Sequence, residues 1–419
     1  MSKKLKLVLV GNGMAGIRTV EELLRLAPDL YEITVFGAEP HPNYNRIMLS
    51  PVLAGEQTLD DIVLNGFEWY AEHGITLHAG CPVVSVDRAR RLVSAETPDG
   101  RGIEAAYDRL LLCTGSSAFV LPVPGAELQG VIAYRDIADT QAMIEAARTQ
   151  RHAVVIGGGL LGLEAANGLR QRGMQVTVVH RGEWLMERQL DRAASELLRH
   201  ALEARGIDFA LQAQTQAMLG HEDGSTGGPG AHVRAVRLAD GRELPADLVV
   251  MAVGIRPNIK LAQAIGLHCE RGVVVTDTLQ TVTDARIYSV GECAQHRGVA
   301  YGLVAPLYEQ AQVAANHLAQ QGIGRYPGSL TSTKLKVTGI ELFSAGDFAG
   351  GQGCEEVVMS DPASGVYRKL VIADNRLVGA CLYGDASDGH WYFELLRQGC
   401  DITALREQLM FGQPADAAT

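Results

Sequence analysis

Two glycine-rich turns, each wedged between an apolar run and a helical pattern, constrain this chain more than any other feature. The second, GGGLLGLEAA from Gly157 to Ala166, follows the apolar run Ala153 to Ile156 and leads into a helical pattern from Leu160 to Arg170. A strand that turns into a helix is the setting in which GxGxxG spacing carries chemistry. Gly157 permits the tight bend, Gly159 lets the backbone approach a pyrophosphate, and Gly162 lets helix and strand pack closely. The phosphates then meet free N–H groups and the positive end of the helix. The first copy, GNGMAG, places Gly11, Gly13 and Gly16 after the strand Leu5 to Val10. Two copies about one domain length apart point to two dinucleotides held by one chain.

Composition removes other classes. The chain has 419 residues, 47% of them apolar, enough for two to three domains with buried cores. A net charge of −11 argues against a nucleic-acid groove, which needs a basic surface. Cys81, Cys113, Cys269, Cys293, Cys354, Cys381 and Cys400 contain no CxxC pair, which predicts reduced thiols and no structural metal. The opening MSKKLKLVLVG sets basic residues before an apolar run only a strand long, so it is expected to be structure and not a signal peptide. No apolar segment approaches the ~20 residues of a membrane span, and a cytoplasmic location is expected.

The helix after the first turn is expected over Ile17 to Leu26, ending before Pro28, followed by a strand over Glu32 to Phe36. Glu39 falls where an acid commonly grips a ribose hydroxyl. The stretch His41 to Leu53 reads as a loop in which Arg46 can pair with a pyrophosphate or stack on an adenine. A β-rich segment ends in the uniformly apolar run Leu110 to Cys113 and in Thr114 and Gly115, small enough for a cofactor to approach the strand end. In the second unit a helix is expected over Asp139 to Gln150 and a strand over Gln175 to His180. Its last residue, His180, with Arg181, occupies the position that discriminates nicotinamide cofactors, and cations there lean toward NADPH or dual use. Gly220 to His232 reads as a flexible hairpin insertion, and the unit closes at Gly254 in GIRPN, which joins the cofactor-binding set. A later strand, Ile287 to Val290, ends in Gly291 and Glu292, whose carboxylate can hold a ribityl or ribose hydroxyl. A helix is expected from Pro306, its positive end available to a flavin. The last ninety or so residues read as a strand-rich unit, with strands at Leu335 to Val337, Glu341 to Ser344, Glu356 to Met359, Arg368 to Ile372 and Leu377 to Leu382, a helix around Trp391 to Arg397 and a polar tail.

The paired turns, CTGSS, GIRPN, VGEC, LVAP and the block KLKVTGIELFSAGD (Lys334 to Asp347) resemble the pyridine nucleotide-disulfide oxidoreductase-type flavoprotein reductases. The resemblance is greatest to the amino-terminal flavin part of assimilatory nitrite reductase large subunits and to the electron-transfer subunit of assimilatory nitrate reductase. It implies an α/β fold with two Rossmann-like domains, for FAD and NAD(P)H, plus a carboxy-terminal α+β domain. The expected boundaries are 1–118 and 253–325 for the FAD domain, 119–252 for the NAD(P)H domain and 326–419 for an interface domain. By the same resemblance Gly11, Gly13, Gly16, Glu39, Arg46, Thr114, Gly115, Glu292 and Ala305 contact FAD. Gly157, Gly159, Gly162 and Glu164 hold the nicotinamide nucleotide, with Glu164 near the carboxamide. Two departures stand out. The chain stops before the cysteine-rich and siroheme segments of nitrite reductases, so no nitrite reduction is expected of it alone. Relatives acting on ferredoxins often carry a lysine after the serine of the arginine-serine loop, where this chain has Pro51 after Ser50.

The expected function is an NAD(P)H-dependent flavoprotein passing electrons to an iron–sulfur protein, foremost a nitrate reductase catalytic subunit. The alternative is a rubredoxin or ferredoxin reductase. Hydride transfer needs aligned rings more than an acid or base, so no catalytic triad or metal site is expected. Peroxide or disulfide reduction needs a thiol in Asn43 to Leu53, and there is none. A nucleotide sensor on the same fold is the non-enzymatic alternative, and a homodimer is possible.

Overall fold

The structure is a computed structural model that describes residues 4–220, 231–335 and 337–414. Most of the expected hairpin insertion, Lys336 of the expected strand Leu335 to Val337, and the end of the tail lie outside the described residues. The chain divides into two compact units, one of residues 1–47, 59–117 and 255–329, the other of 48–58, 118–254 and 330–419.

The first unit is built on a five-stranded parallel sheet in the order Ile287–Ser289, Arg109–Leu112, Leu5–Val10, Tyr31–Phe36, Thr76–His78. A strand's side chains alternate between faces, and a parallel sheet is covered on both. Leu7 and Leu9 therefore face Ile17, Val20 and Leu23 of the helix Met14–Leu26 and Ala314, Ala315 and Leu318 of the helix Val304–Leu318. Val8 and Val10 face Val86, Val93 and Ala95 from the three-stranded antiparallel sheet of Val83–Asp87, Leu92–Glu96 and Gly102–Ala106. The helix expected at Pro306 begins at Val304, with Leu303 extended as its N-cap. Proline is tolerated in this first turn, whose N–H groups have no partner inside the helix.

The second unit repeats the plan. Its parallel sheet runs Val131–Ala133, Leu248–Met251, His152–Ile156, Gln175–Val179, Ile207–Ala210, and the helix Leu160–Gln171 leaves the second glycine turn. A helix that the sequence reading missed, Arg192–Glu203, buries Ala194, Ser195, Leu198 and Leu202 and is capped by the Asp191 carboxylate on the Ala194 N–H. In the same unit an antiparallel sheet, Ser332–Thr333, Leu342–Gly346, Arg376–Tyr383, Val366–Ala373, Glu355–Asp361, packs against the helix Gly389–Gln398. The strand expected over Leu335 to Val337 lies earlier, at Ser332–Thr333. Leu335 and Val337 are both buried, and neither lies in a described strand.

The loop expected from His41 to Leu53 is also corrected. It holds a short strand, Asn43–Tyr44, a 3-10 turn, Arg46–Met48, and the helix Leu49–Ala54, with Pro51 in its first turn and a left-handed Gly55 as its cap. That helix belongs to the second unit: the ideal Cβ of Gly168 lies 2.8 Å from Leu53 Cγ, and Arg172 donates to the carbonyls of Val52, at 3.0 Å, and Leu53.

Asp191 does two jobs. Besides capping its helix it accepts 2.5 Å from the Tyr367 hydroxyl, which burial and this carboxylate push well above its ordinary range. Asp191→Ala removes a cap and strands a buried hydroxyl, a loss of about 2 kcal/mol; Tyr367→Phe spares the cap and costs about half as much. Thermal midpoints fall in that order, and equal midpoints for the two variants contradict the double role. In the first unit Asp277 pairs with Arg297 and with the buried His296, which hold its carboxyl at about 2 against an ordinary 3.8. A depressed carboxyl stabilises above its unfolded value and ceases to do so as pH falls through its folded one. The midpoint deficit of Asp277→Asn against the parent is thus full at pH 6 and disappears near pH 2; a deficit independent of pH refutes the pairing.

Candidate dinucleotide sites

In both turns the three glycines divide the same labour, visible in what a Cβ at each would meet. At Gly11, with φ of +115°, an ideal Cβ falls 2.1 Å from the Cys113 carbonyl oxygen; at Gly157, with φ of +123°, it falls 2.3 Å from that of Ala252. Gly16 and Gly162 are closed by packing, the first 2.7 Å from Cys113 Sγ and the second 1.9 Å from the Gly157 carbonyl. Gly13 and Gly159 differ: nothing lies within 4 Å, and both are extended N-caps with no side-chain cap on their helices. Each helix thus presents its unpartnered N–H groups to open space beside a residue with no side chain, a cradle that fits a pyrophosphate.

Around the first turn the predicted residues gather from several elements. Asn12 within it accepts from the Tyr70 hydroxyl at 2.7 Å, and its carbonyl accepts from Asn43 Nδ2 at 3.0 Å. Glu39 forms an ion pair with Arg46 and accepts from the Tyr44 hydroxyl at 2.6 Å, and the Arg46 guanidinium lies 5.2 Å from the Tyr44 ring. Burial works against the Arg46 charge, but Tyr44 and Glu39 outweigh it and raise its pKa. Thr114 and Gly115 are locked to the chain's return: Thr114 Oγ1 donates to the Asn258 carbonyl at 2.7 Å, and the Asn258 N–H donates to the Gly115 carbonyl at 2.9 Å. Glu292 accepts from Ser116 Oγ at 2.8 Å. Gly291, left-handed at φ of +90°, donates its N–H 2.9 Å to Oε1 of Gln310, a fully buried residue of the helix Val304–Leu318. Ala305 lies exposed in that helix's first turn. Gln310 went unnoticed in the sequence, where it reads as one more polar helical residue.

At the second turn Glu164 is buried in the helix Leu160–Gln171 and accepts from Ser50 Oγ at 2.6 Å. Ser50 Oγ also lies 3.3 Å from the Tyr134 hydroxyl, whose pKa burial drives up. The departure at Ser50–Pro51 thus supplies a neutral hydrogen bond to Glu164 from a helix that the sequence reading took for a loop. Gly254, at φ of +116°, has open space at its Cβ position, and its carbonyl accepts from the Phe119 N–H at 2.9 Å. His180 is turned inward: its Nδ1 accepts from the Gly158 N–H at 3.1 Å, while Arg181 is exposed.

All seven cysteines are free. Cys113 is a packing residue under Gly16, its thiol pKa pushed far up by burial, and Cys293 is fully buried against main-chain carbonyls. Among the described residues no cluster of His, Cys, Asp or Glu is placed to hold a metal ion, and no helix is long and apolar enough to cross a membrane.

Residues 5–317 match the pyridine nucleotide-disulphide oxidoreductase family and residues 332–400 the rubredoxin NAD+ reductase C-terminal domain. The chain is 49% identical to the nitrite reductase [NAD(P)H] of Bacillus subtilis, over 96% of this chain and 48% of that protein. It is 44% identical to the assimilatory nitrate reductase electron transfer subunit of the same organism, over 97% of this chain and 51% of that protein. It therefore spans about half the length of these two relatives. Among solved structures, the putidaredoxin reductase–putidaredoxin complex superposes with a TM-score of 0.83 at 26% identity, covering 95% of this chain and 94% of that one. The chain belongs to the pyridine nucleotide-disulphide oxidoreductase family.

Proposed function

We propose that this chain is the electron-entry flavoprotein of an assimilatory nitrate or nitrite reductase system, delivering electrons from NAD(P)H to an iron–sulfur protein. The observation that carries the reading is the repeated glycine geometry, one open cradle in each unit. The names of the two Bacillus subtilis relatives point to nitrogen assimilation. FAD, when bound, takes a two-electron hydride and releases electrons one at a time, which joins a nicotinamide donor to a one-electron acceptor.

The protein's share is position and electrostatics. We assign the first turn, Gly11, Gly13 and Gly16, to the FAD pyrophosphate. Glu39 serves the adenosine ribose and is oriented by Arg46 and Tyr44. Thr114, Gly115, Gly291 and Glu292 would hold the flavin half, and Ala305 lies at the helix end whose positive dipole would favour added electron density. Gln310 fixes the Gly291 turn from beneath. At the second turn Gly157, Gly159 and Gly162 receive the nicotinamide nucleotide's pyrophosphate, Gly254 leaves it room, and Glu164 positions the carboxamide. The hydroxyl of Ser50 orients that carboxylate without bringing a second charge.

One observation favours a second reading. The match of residues 332–400 to the rubredoxin NAD+ reductase C-terminal domain suits a rubredoxin or ferredoxin as the acceptor. The homodimer that the sequence leaves open belongs to either reading. The purified holoprotein, mixed anaerobically with NADH or NADPH and one candidate acceptor at a time, separates the two. Rapid reduction of a nitrate reductase catalytic subunit and slow reduction of rubredoxin and ferredoxin are expected; the reverse order rejects the nitrogen-assimilation reading.

Gly13 and Gly159 have ordinary backbone angles and empty space at Cβ, so Gly13→Val and Gly159→Val leave each fold intact and fill only its cradle. Gly13→Val is expected to purify with little bound FAD, whereas Gly159→Val stays yellow but no longer bleaches with NAD(P)H. Both apoproteins keep the parent's thermal midpoint. Retention of FAD and of full bleaching by both variants overturns the assignment of the cradles.

A further inference from the structure

Beyond the strand Gln175–Val179 the chain does not leave the second turn but folds back over it. Gly158 is gripped from both sides of its peptide: its N–H donates to His180 Nδ1 at 3.1 Å, and its carbonyl accepts from the Met186 N–H at 2.9 Å. Met186, buried and left-handed at φ of +52°, turns the chain so that the next residue, Glu187, points back along the loop. The Glu187 carboxylate ends 3.7 Å from His180 Nε2 and lies over Gly182, where a Cβ would sit only 1.9 Å from its Oε2. A side chain at 182 would displace it, whereas 46% of the Glu187 side chain remains open to solvent.

In two-dinucleotide folds the residue closing the second strand reads the adenosine ribose: an acid accepts from a free 2′-hydroxyl and repels a 2′-phosphate. Here that residue is His180, committed to the turn itself. Of the other charges on the loop, Glu183 pairs with Arg192 at 2.7 Å, whereas Arg181 and Arg188 are exposed. Glu187 is the carboxylate that a backbone bond and a left-handed turn bring back to the strand end, 3.7 Å from His180 Nε2. We infer that Glu187 takes over the ribose-reading role from His180 and sets this chain to use NADH in preference to NADPH, against the sequence expectation drawn from His180 and Arg181. The inference rests on the reading that the second turn holds the nicotinamide nucleotide.

Calorimetric titration of the oxidised holoprotein with NAD+ and with NADP+ tests it without turnover. The parent is expected to bind NAD+ about tenfold or more tightly than NADP+, the scale of one charge-assisted hydrogen bond and one repulsion. Glu187→Gln, which keeps the side-chain shape, is expected to weaken NAD+ about tenfold and to tighten NADP+, at an unchanged thermal midpoint. Gly182→Ala, which crowds the carboxylate without removing it, shifts the ratio in the same direction. Unaltered affinities for both nucleotides in Glu187→Gln, or a parent that prefers NADP+, refute the role of Glu187 while leaving the second turn as the nucleotide site. Failure of the parent to bind either nucleotide removes that site and the inference together.

Discussion

The contact on which both sites depend is the approach of a glycine to the carbonyl oxygen at the end of the adjacent parallel strand. Gly11 meets Cys113 in this way, and Gly157 meets Ala252. No side chain fits there, and both glycines have φ well inside the left-handed region. The bend they permit starts the following helix directly above the strand end and aims its free N–H groups outward. Everything else named at either site is arranged around those two bends.

Strength at the sites comes from neutral or paired groups held by short hydrogen bonds. Glu39 is balanced by Arg46 and Tyr44, Glu164 is tied to Ser50, and Glu292 is tied to Ser116. A carboxylate placed this way keeps its direction, because a hydroxyl or guanidinium meets part of its hydrogen-bonding need. Such preorganisation suits chemistry in which the protein aligns two rings and does not itself exchange protons. The pattern extends to main-chain groups: Gln310 holds the Gly291 N–H, and His180 holds that of Gly158.

Much of this was legible in the sequence because backbone requirements leave residue types with few substitutes. Glycines at fixed spacing gave both turns, and the apolar runs Leu5 to Val10 and Leu110 to Cys113 gave strands buried on both faces. What escaped is whatever depends on partners distant in the chain. The helix Leu49–Ala54 is six residues long with a proline inside, too short for a periodic signal, and its hold on Glu164 spans more than a hundred residues. The helix Arg192–Glu203 carried a readable signal in Asp191 followed by buried positions 194, 195, 198 and 202, and was overlooked between stronger motifs. His180 directly follows the strand Gln175–Val179 and is turned inward, which nothing local in the sequence reveals, because its ring accepts from Gly158. Leu335 and Val337 show strand-like alternation and are buried, but neither lies in a described strand.

The central claim is that one chain holds one FAD and one nicotinamide nucleotide, each on its own turn. Anaerobic titration of the purified protein with NADH, followed at the flavin absorbance band, measures this directly. The account predicts one bound flavin per chain, fully bleached by one equivalent of reductant. A chain that carries no flavin, or a bound flavin that excess NADH and NADPH both fail to bleach, contradicts it.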